Sequence, residues 1–169
     1  MPTFITITNP SFENPALSNG SVTTSAPSGW TITTGSGGVY DDAGNVAGET
    51  GQNVFYTDGN GTTLRQTTAV NYDETQQYTF NVDIGDPNYE GAQNYTVNIY
   101  AGSTLIGTQS GNTGNTNTME TVTVQSTVFD PAVSGPIIIE IVDQSGGELF
   151  IDNVNGSFDV PAPVVVDGT

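Results

Sequence analysis

The sequence contains no cysteine and no histidine, and its single cationic side chain, Arg65, stands against 18 Asp and Glu residues. The absence of cysteine excludes disulfides, thiolate metal sites and cysteine nucleophiles. Histidine, lysine and cysteine supply the usual catalytic bases and nucleophiles, so carboxylates and tyrosines are the remaining acid–base candidates. The composition therefore favours a binding or structural protein over an enzyme.

The shortage of positive charge also restricts the partners. A net charge of −17 at pH 7 argues against nucleic acid and anionic membrane surfaces, because both need Lys and Arg for attraction. No apolar run approaches the roughly 20 residues of a membrane span, which predicts no membrane insertion. The start "MPTFITITNP" lacks the basic residues of a signal peptide. We expect a protein of the extracellular space or of a virion surface, either cut from a longer precursor or released by viral lysis.

Helical patterns are missing as well, and short alternating runs rich in Thr, Val, Ile, Tyr and Phe predict strands throughout. The predicted strands cover residues 3–8, 29–34, 52–57, 63–68, 76–85, 94–102, 103–109, 119–127, 136–143 and 148–160. Their number and spacing predict an antiparallel β-sandwich. We expect one domain over residues 1–160, followed by an extended C-terminal tail over residues 161–169 that lies on the surface or reaches a neighbouring subunit.

Two of these strands indicate how the core is built. In "QYTFNVDIG" the residues Tyr78, Phe80, Val82 and Ile84 share one face, which predicts a strand with one core face and one wet face. The continuous apolar run 137–139 predicts a central strand that is covered on both sides.

Several short motifs occur in a recognisable order along nearly the whole chain: "ITNPSFENP", "SGWTIT", "GQNVFYT", "YTFNVDIG" and "LFIDNV". This order resembles that of galactose-binding-like jelly rolls, which include many carbohydrate-binding modules. It is most similar to that of the calcium-dependent Stig cyclases of cyanobacteria. The resemblance implies an all-β, antiparallel jelly-roll β-sandwich.

The resemblance also implies a structural calcium ion held by Glu13 and Asp152. Calcium prefers six to eight hard oxygen ligands, and this chain is rich in carboxylates and poor in cations, which agrees with such a site. The alternative is that both are ordinary carboxylates bonded to backbone N–H groups. Asp41 and Asp42 in "GVYDDAGN" are further candidate ligands, with a solvated acidic turn as their alternative.

Aromatic residues near loops are candidates for ligand binding, because flat rings stack on sugars. The candidates are Trp30, Tyr40, Tyr56 and Tyr89. For Trp30, which follows Pro27 and Gly29 at a strand start, a core position is the stronger interpretation.

Three functions follow from these observations. The first is a non-catalytic, calcium-stabilised surface module, either a structural or decoration protein of a virion or an adhesin-type domain, with glycans or neighbouring capsid or surface subunits as partners. The second is a free-standing carbohydrate-binding module. The third is a Stig-cyclase-like enzyme, for which the resemblance implies Asp152 as the acid and Tyr56 as a pocket aromatic. The segment "DPNYEGAQ" argues against the third, because it is shorter and more polar than the pocket-forming loop of the cyclases.

Overall fold

The computed structural model describes residues 1–42, 44–59 and 61–161. These residues form eleven strands: β1 (Thr3–Ile5), β2 (Thr31–Thr34), β3 (Gly37–Asp41), β4 (Asn53–Thr57), β5 (Thr63–Asn71), β6 (Gln77–Gly85), β7 (Asn94–Ala101), β8 (Thr104–Asn112), β9 (Glu120–Gln125), β10 (Pro136–Asp143) and β11 (Phe150–Asp159). Within the described ranges, no helix is long and apolar enough to cross a membrane. The predicted tail lies outside the described residues except for its first residue.

The strands form two sheets that pack face to face. One sheet has the order β3-β4-β11-β6-β9, with β1 also paired to β11, and the other has the order β2-β5-β10-β7-β8. Every pairing between these strands is antiparallel. The predicted all-β, antiparallel jelly-roll sandwich is confirmed.

All ten predicted strands are present, with ends that differ by a few residues, but β3 was not predicted. Its first two residues, Gly37 and Gly38, carry no β-propensity signal. Both glycines are needed for close packing, since a Cβ at Gly37 would meet the carbonyl of Tyr56 and one at Gly38 would meet the carbonyl of Thr23. Asp41 is the last residue of β3 and is buried, so the solvated acidic turn that is the alternative for this residue is not observed.

The core lies between the sheets and is built from alternate strand residues. The predicted core face of β6, Tyr78 to Ile84, is confirmed, since each of its four apolar side chains is at most 1% exposed. Strand β10 is central in its sheet, as expected, and Ile138 on its outer side is also buried. Trp30 is 5% exposed and packs on Phe12 with ring centroids 5.4 Å apart. Trp30 is therefore a core residue, because burial leaves no ring face for stacking on a ligand.

One buried polar contact joins the two sheets. Thr57 in β4 donates its hydroxyl to Asp143 in β10 at 2.5 Å and accepts the backbone N–H of Leu149 at 2.8 Å. The backbone N–H of Ser145 donates to the other oxygen of Asp143 at 2.7 Å. Burial raises the pKa of Asp143, while the hydrogen bonds from Thr57 and Ser145 oppose that rise.

Replacing Thr57 with valine should destabilise the protein by about 1–3 kcal/mol, because a buried carboxylate oxygen loses its donor. The Thr57 hydroxyl favours the charged form, so its loss raises the pKa of Asp143 further. A carboxyl group whose pKa is raised in the folded state is harder to ionise there than in the unfolded chain. The free energy of unfolding therefore falls as the pH rises from about 4, the ordinary pKa of Asp, through the pKa of the folded state. The loss should thus be larger at pH 7 than at pH 4, as measured by urea denaturation at fixed calcium.

The matched control is Thr123→Val, which removes an exposed hydroxyl bonded to Asn81 on the outer face of β9. This change should alter stability by no more than about 0.5 kcal/mol. Equal effects of the two substitutions at both pH values would contradict a special role for the Thr57–Asp143 contact.

Candidate functional site

An open pocket of about 350 Å³ lies on the outer face of the six-stranded sheet. We call it the tyrosine pocket, and its lining residues are Val22, Tyr40, Tyr56, Asp58, Tyr89 and Glu148. It brings together three of the four aromatic residues that the sequence marked as ligand-binding candidates.

The floor of the tyrosine pocket follows from the alternation of side chains along the strands. Tyr40 in β3 and Tyr56 in β4 point away from the core, because their neighbours Val39 and Phe55 point into it. Phe150 in β11 lies opposite Tyr56 and is fully buried on the same outer side. Tyr40 and Phe150 have ring centroids 6.0 Å apart, so the floor rests on packed aromatic side chains.

Loops and strand ends provide the walls. Tyr89 comes from the loop between β6 and β7, Asp58 directly follows β4, and Glu148 comes shortly before β11. The segment that carries Val22 lies along β3, where the glycine at position 38 leaves room for the carbonyl of Thr23. That carbonyl accepts the hydroxyl of Tyr56 at 3.0 Å.

Hydrogen bonds fix two more of these side chains. The Tyr89 hydroxyl donates to Glu148 at 2.6 Å, and the Tyr40 hydroxyl accepts the side-chain amide of Asn45 at 2.7 Å. Burial, followed by the bond and charge of Glu148, raises the pKa of Tyr89 well above its ordinary value. The pKa of Tyr56 is also raised, first by burial and then by the charges of Asp58 and Glu148. Both phenol groups are therefore neutral at physiological pH, and the carboxylates beside them give the pocket a negative charge.

The only cationic side chain of the chain lies on the other sheet. The Nε atom of Arg65 in β5 is 3.6 Å from a carboxylate oxygen of Glu140 in β10. The guanidinium carbon of Arg65 lies over the ring of Tyr100 in β7, 5.1 Å from the ring centroid. All three side chains lie on the outer face of the five-stranded sheet. Arg65 consequently does not neutralise the carboxylates of the tyrosine pocket.

The two main calcium candidates, Glu13 and Asp152, meet at one loop. One oxygen of Glu13 accepts the backbone N–H groups of Gln52 and Asn53, each at 2.9 Å. Asp152 accepts the backbone N–H of Thr50 at 2.5 Å. The structure brings the two predicted residues together, and it also shows the backbone hydrogen bonds that the alternative interpretation required.

The surroundings of this pair suit a cation. Asp152 is completely buried, and burial, with added repulsion from Asp83 and Glu13, raises its pKa to about 7. The side-chain oxygen of Asn53 is buried and has no hydrogen-bond partner among the described residues. Carboxylate and amide oxygens are the ligands that calcium accepts, so the donor set fits this ion. Among the described residues, no third Asp, Glu, His or Cys completes a larger metal-binding group.

Asp41 and Asp42 lie beside this loop without joining the pair. The two oxygens of Asp42 accept the backbone N–H groups of Asn45 at 2.9 Å and Val46 at 3.1 Å, so its carboxylate closes a turn. Both aspartates line a polar depression of about 310 Å³, together with Asn19, Glu49, Gly51 and Gln52. Asp42 therefore closes a turn, but its side chain is buried and not solvated as the alternative interpretation expected.

The acid and the aromatic that the cyclase resemblance implies lie in different places. Tyr56 lines the tyrosine pocket, whereas Asp152 is not among its lining residues and lies buried beneath the loop at Thr50. The structure therefore does not place this acid in the lining of the pocket.

Sequence reasoning missed two pocket residues, Asp58 and Glu148. Asp58 lies just beyond the predicted strand 52–57, and Glu148 is the first residue of the predicted strand 148–160. The available signal was the period of two, since Asp58 is two residues beyond Tyr56 and Glu148 two residues before Phe150. This period identifies the two carboxylates as pocket residues only when the pairing of β4 with β11 is known.

The fold is that of carbohydrate-binding modules. TmCBM61, solved in complex with β-1,4-galactotriose, is 14% identical and has a TM-score of 0.58, with 93% of this chain and 99% of that chain covered. The CBM22-1 xylan-binding domain of Paenibacillus barcinonensis Xyn10C is 10% identical and has a TM-score of 0.55, covering 87% and 100%. The enzymatically active domain of tailspike protein 4 from bacteriophage CBA120 is 15% identical and has a TM-score of 0.57, with 92% of this chain and 21% of that chain covered.

A protein-family model described as "HpiC1-like: HpiC1 cyclase" matches residues 3–156. The chain therefore belongs to the HpiC1-like cyclase family, in agreement with the resemblance to Stig cyclases. No curated protein matches the chain in sequence.

The Tyr89–Glu148 contact makes a spectroscopic prediction. The pKa of Tyr89 should lie above 10, the ordinary tyrosine value, and the Glu148→Gln substitution should lower it, because the negative charge beside the phenol is removed. NMR titration of tyrosines labelled at Cζ measures this shift. Tyr100 is the internal control, since its raised pKa depends on burial and Glu140 and should not change. An unaltered Tyr89 titration would mean that the contact does not form in solution.

Proposed function

We propose that this protein is a non-catalytic, glycan-binding jelly-roll module that binds its ligand in the tyrosine pocket. The observation that carries this proposal is the convergence of Tyr40, Tyr56 and Tyr89 with two carboxylates in one open pocket. The tyrosine rings suit stacking against the apolar faces of sugar rings. The carboxylates suit hydrogen bonds from sugar hydroxyls, and apolar faces combined with a few placed polar groups are typical of small-molecule sites.

The family membership and the raised pKa of Asp152 favour a second candidate function, a cyclase-type enzyme. A general acid must reach the proton acceptor within hydrogen-bond distance or through one water molecule. Asp152 is completely buried and lies outside the tyrosine pocket. The pocket also carries two carboxylates, which does not suit an apolar indole substrate. These features support the binding function over the enzymatic one.

The setting that we propose is the extracellular space or the surface of a virion. The net charge of −17 keeps copies of the module apart by mutual repulsion, which favours solubility at high local density. A structural or decoration protein of a virion and an adhesin-type domain both fit this charge. Their additional partners would be neighbouring capsid or surface subunits.

We further propose that one calcium ion stabilises the fold at Glu13 and Asp152. An ion there neutralises the carboxylate of Asp152, whose charged form is disfavoured by burial and by the nearby charges of Asp83 and Glu13. Both carboxylates bind the loop at residues 50–53, so the ion would fix that loop to the first and last segments of the domain.

The glycan proposal predicts that Tyr89→Ala weakens oligosaccharide binding about tenfold, or 1.4 kcal/mol, because one stacking face is lost. Tyr89 is 55% exposed, so its removal should leave stability nearly unchanged. Isothermal titration calorimetry with galactose, xylose, glucosamine and N-acetylglucosamine oligomers provides the measurement.

Tyr100→Ala on the outer face of the other sheet is the matched control and should leave binding unchanged. If Tyr100→Ala abolishes binding while Tyr89→Ala does not, the glycan lies on the other face and the pocket assignment fails. If no oligosaccharide binds and the protein instead cyclises an isonitrile indole substrate in a manner that requires Asp152, the enzymatic function is correct.

The calcium proposal predicts that EDTA lowers the melting temperature and that excess calcium restores it. A ligand at a hundredfold excess over its Kd stabilises the native state by about 2.7 kcal/mol. Glu13→Gln and Asp152→Asn should each weaken this calcium response, whereas Glu74→Gln, in the exposed turn between β5 and β6, should retain it. Identical melting curves in EDTA and calcium would contradict the proposal.

A further inference from the structure

We infer that the tyrosine pocket selects glycans that carry a free, positively charged amino group over neutral or N-acetylated glycans. This inference rests on the proposed glycan-binding function and names the class of ligand. Its basis is the chemistry of the pocket, which combines aromatic faces with carboxylates and contains no cationic side chain.

The charge of the pocket is the first observation. Asp58 and Glu148 both line it, and the only Lys or Arg of the chain, Arg65, lies on the other sheet. Asp58 is exposed, and Glu148 is half-buried beside the ring of Tyr89. A neutral ligand that covers these carboxylates would remove water from them without supplying compensating charge. An ammonium group would compensate them directly.

The hydrogen-bonding capacity of the pocket is the second observation. Tyr56 already donates its hydroxyl to the carbonyl of Thr23, and Tyr89 already donates to Glu148. Tyr40 accepts from Asn45 and is the one lining tyrosine whose hydroxyl proton is not given to another protein group in the described structure. The carboxylates are acceptors only. The pocket is therefore rich in acceptors and poor in donors, and its ligand must supply donors.

The aromatic faces are the third observation. Three tyrosines surround one opening, and a cation within about 6 Å of an aromatic ring centroid is attracted by the ring. The raised pKa values of Tyr56 and Tyr89 keep both rings neutral. Tyrosines with adjacent carboxylates form the kind of cage that binds ammonium ligands. A 2-amino sugar presents both a ring for stacking and an ammonium group.

The experiment compares a glucosamine trimer with the N-acetylglucosamine trimer by calorimetry at pH 6, where the free amino group is charged. The calcium-loaded protein should bind the glucosamine trimer about tenfold more tightly. This preference should decrease as sodium chloride is raised from 20 to 500 mM, because salt screens the charge interaction.

Two charge-removing variants locate the effect. Glu148→Gln and Asp58→Asn keep the side-chain shapes and should each reduce the preference for the glucosamine trimer over the N-acetylated trimer at least threefold. Glu74→Gln removes one negative charge from an exposed turn outside the pocket and should preserve the preference.

The outcomes separate this inference from the proposed function. Equal binding of both trimers, lost in Tyr89→Ala, would overturn the amino-group preference and leave the glycan-binding function intact. Absence of binding to every oligosaccharide would overturn both. A preference for glucosamine that survives both pocket variants would place the charge contact elsewhere and overturn the inference. Competition by methylammonium at the same concentration as the trimer would show that the sugar is not required, which also overturns it.

Discussion

The structure depends on one constraint, which is that its carboxylates have almost no cationic side chains to pair with. A buried carboxylate in such a chain must accept hydrogen bonds from backbone N–H groups or hydroxyls, or share an ion. The structure uses backbone groups at Asp42 and at Glu13, and a hydroxyl with a backbone group at Asp143. At these three residues, loop backbone N–H groups therefore donate to a carboxylate that holds the loop in place.

The same constraint separates two kinds of carboxylate on the outer face of the six-stranded sheet. Asp152 is covered by the loop at Thr50 and is completely buried, so its negative charge is costly unless it is compensated. Asp58 and Glu148 lie around an open pocket, where they stay accessible to solvent. The first kind is enclosed by the fold, and the second is accessible at the surface, as the proposed binding function requires.

Much of the fold could be predicted from the sequence, because strand periodicity is local. The alternation in β6 and the apolar run of β10 are visible without any neighbour. Strand β3 was not predicted because its two glycines carry no strand signal. They are required because the backbone carbonyls of Thr23 and Tyr56, which are distant in sequence, lie too close to leave room for a Cβ. Glu13 and Asp152 could be placed together only through a resemblance, since 139 positions separate them and no local pattern links them. The pocket required strand pairing, which one sequence does not contain.

The position of the acid relative to the pocket is the feature that distinguishes the proposed binding function from a catalytic one in this chain. The jelly roll holds Asp152 and Tyr56 on neighbouring strands, β11 and β4, of one sheet. Chemistry requires that the acid and the aromatic residue face the same cavity, whereas binding requires only the aromatic surface. In this chain Asp152 is covered by the loop at Thr50 and does not line the pocket, and the charge of the pocket comes from Asp58 and Glu148. The geometry therefore supplies the aromatic surface that binding requires and does not bring the acid to the cavity, as chemistry would require.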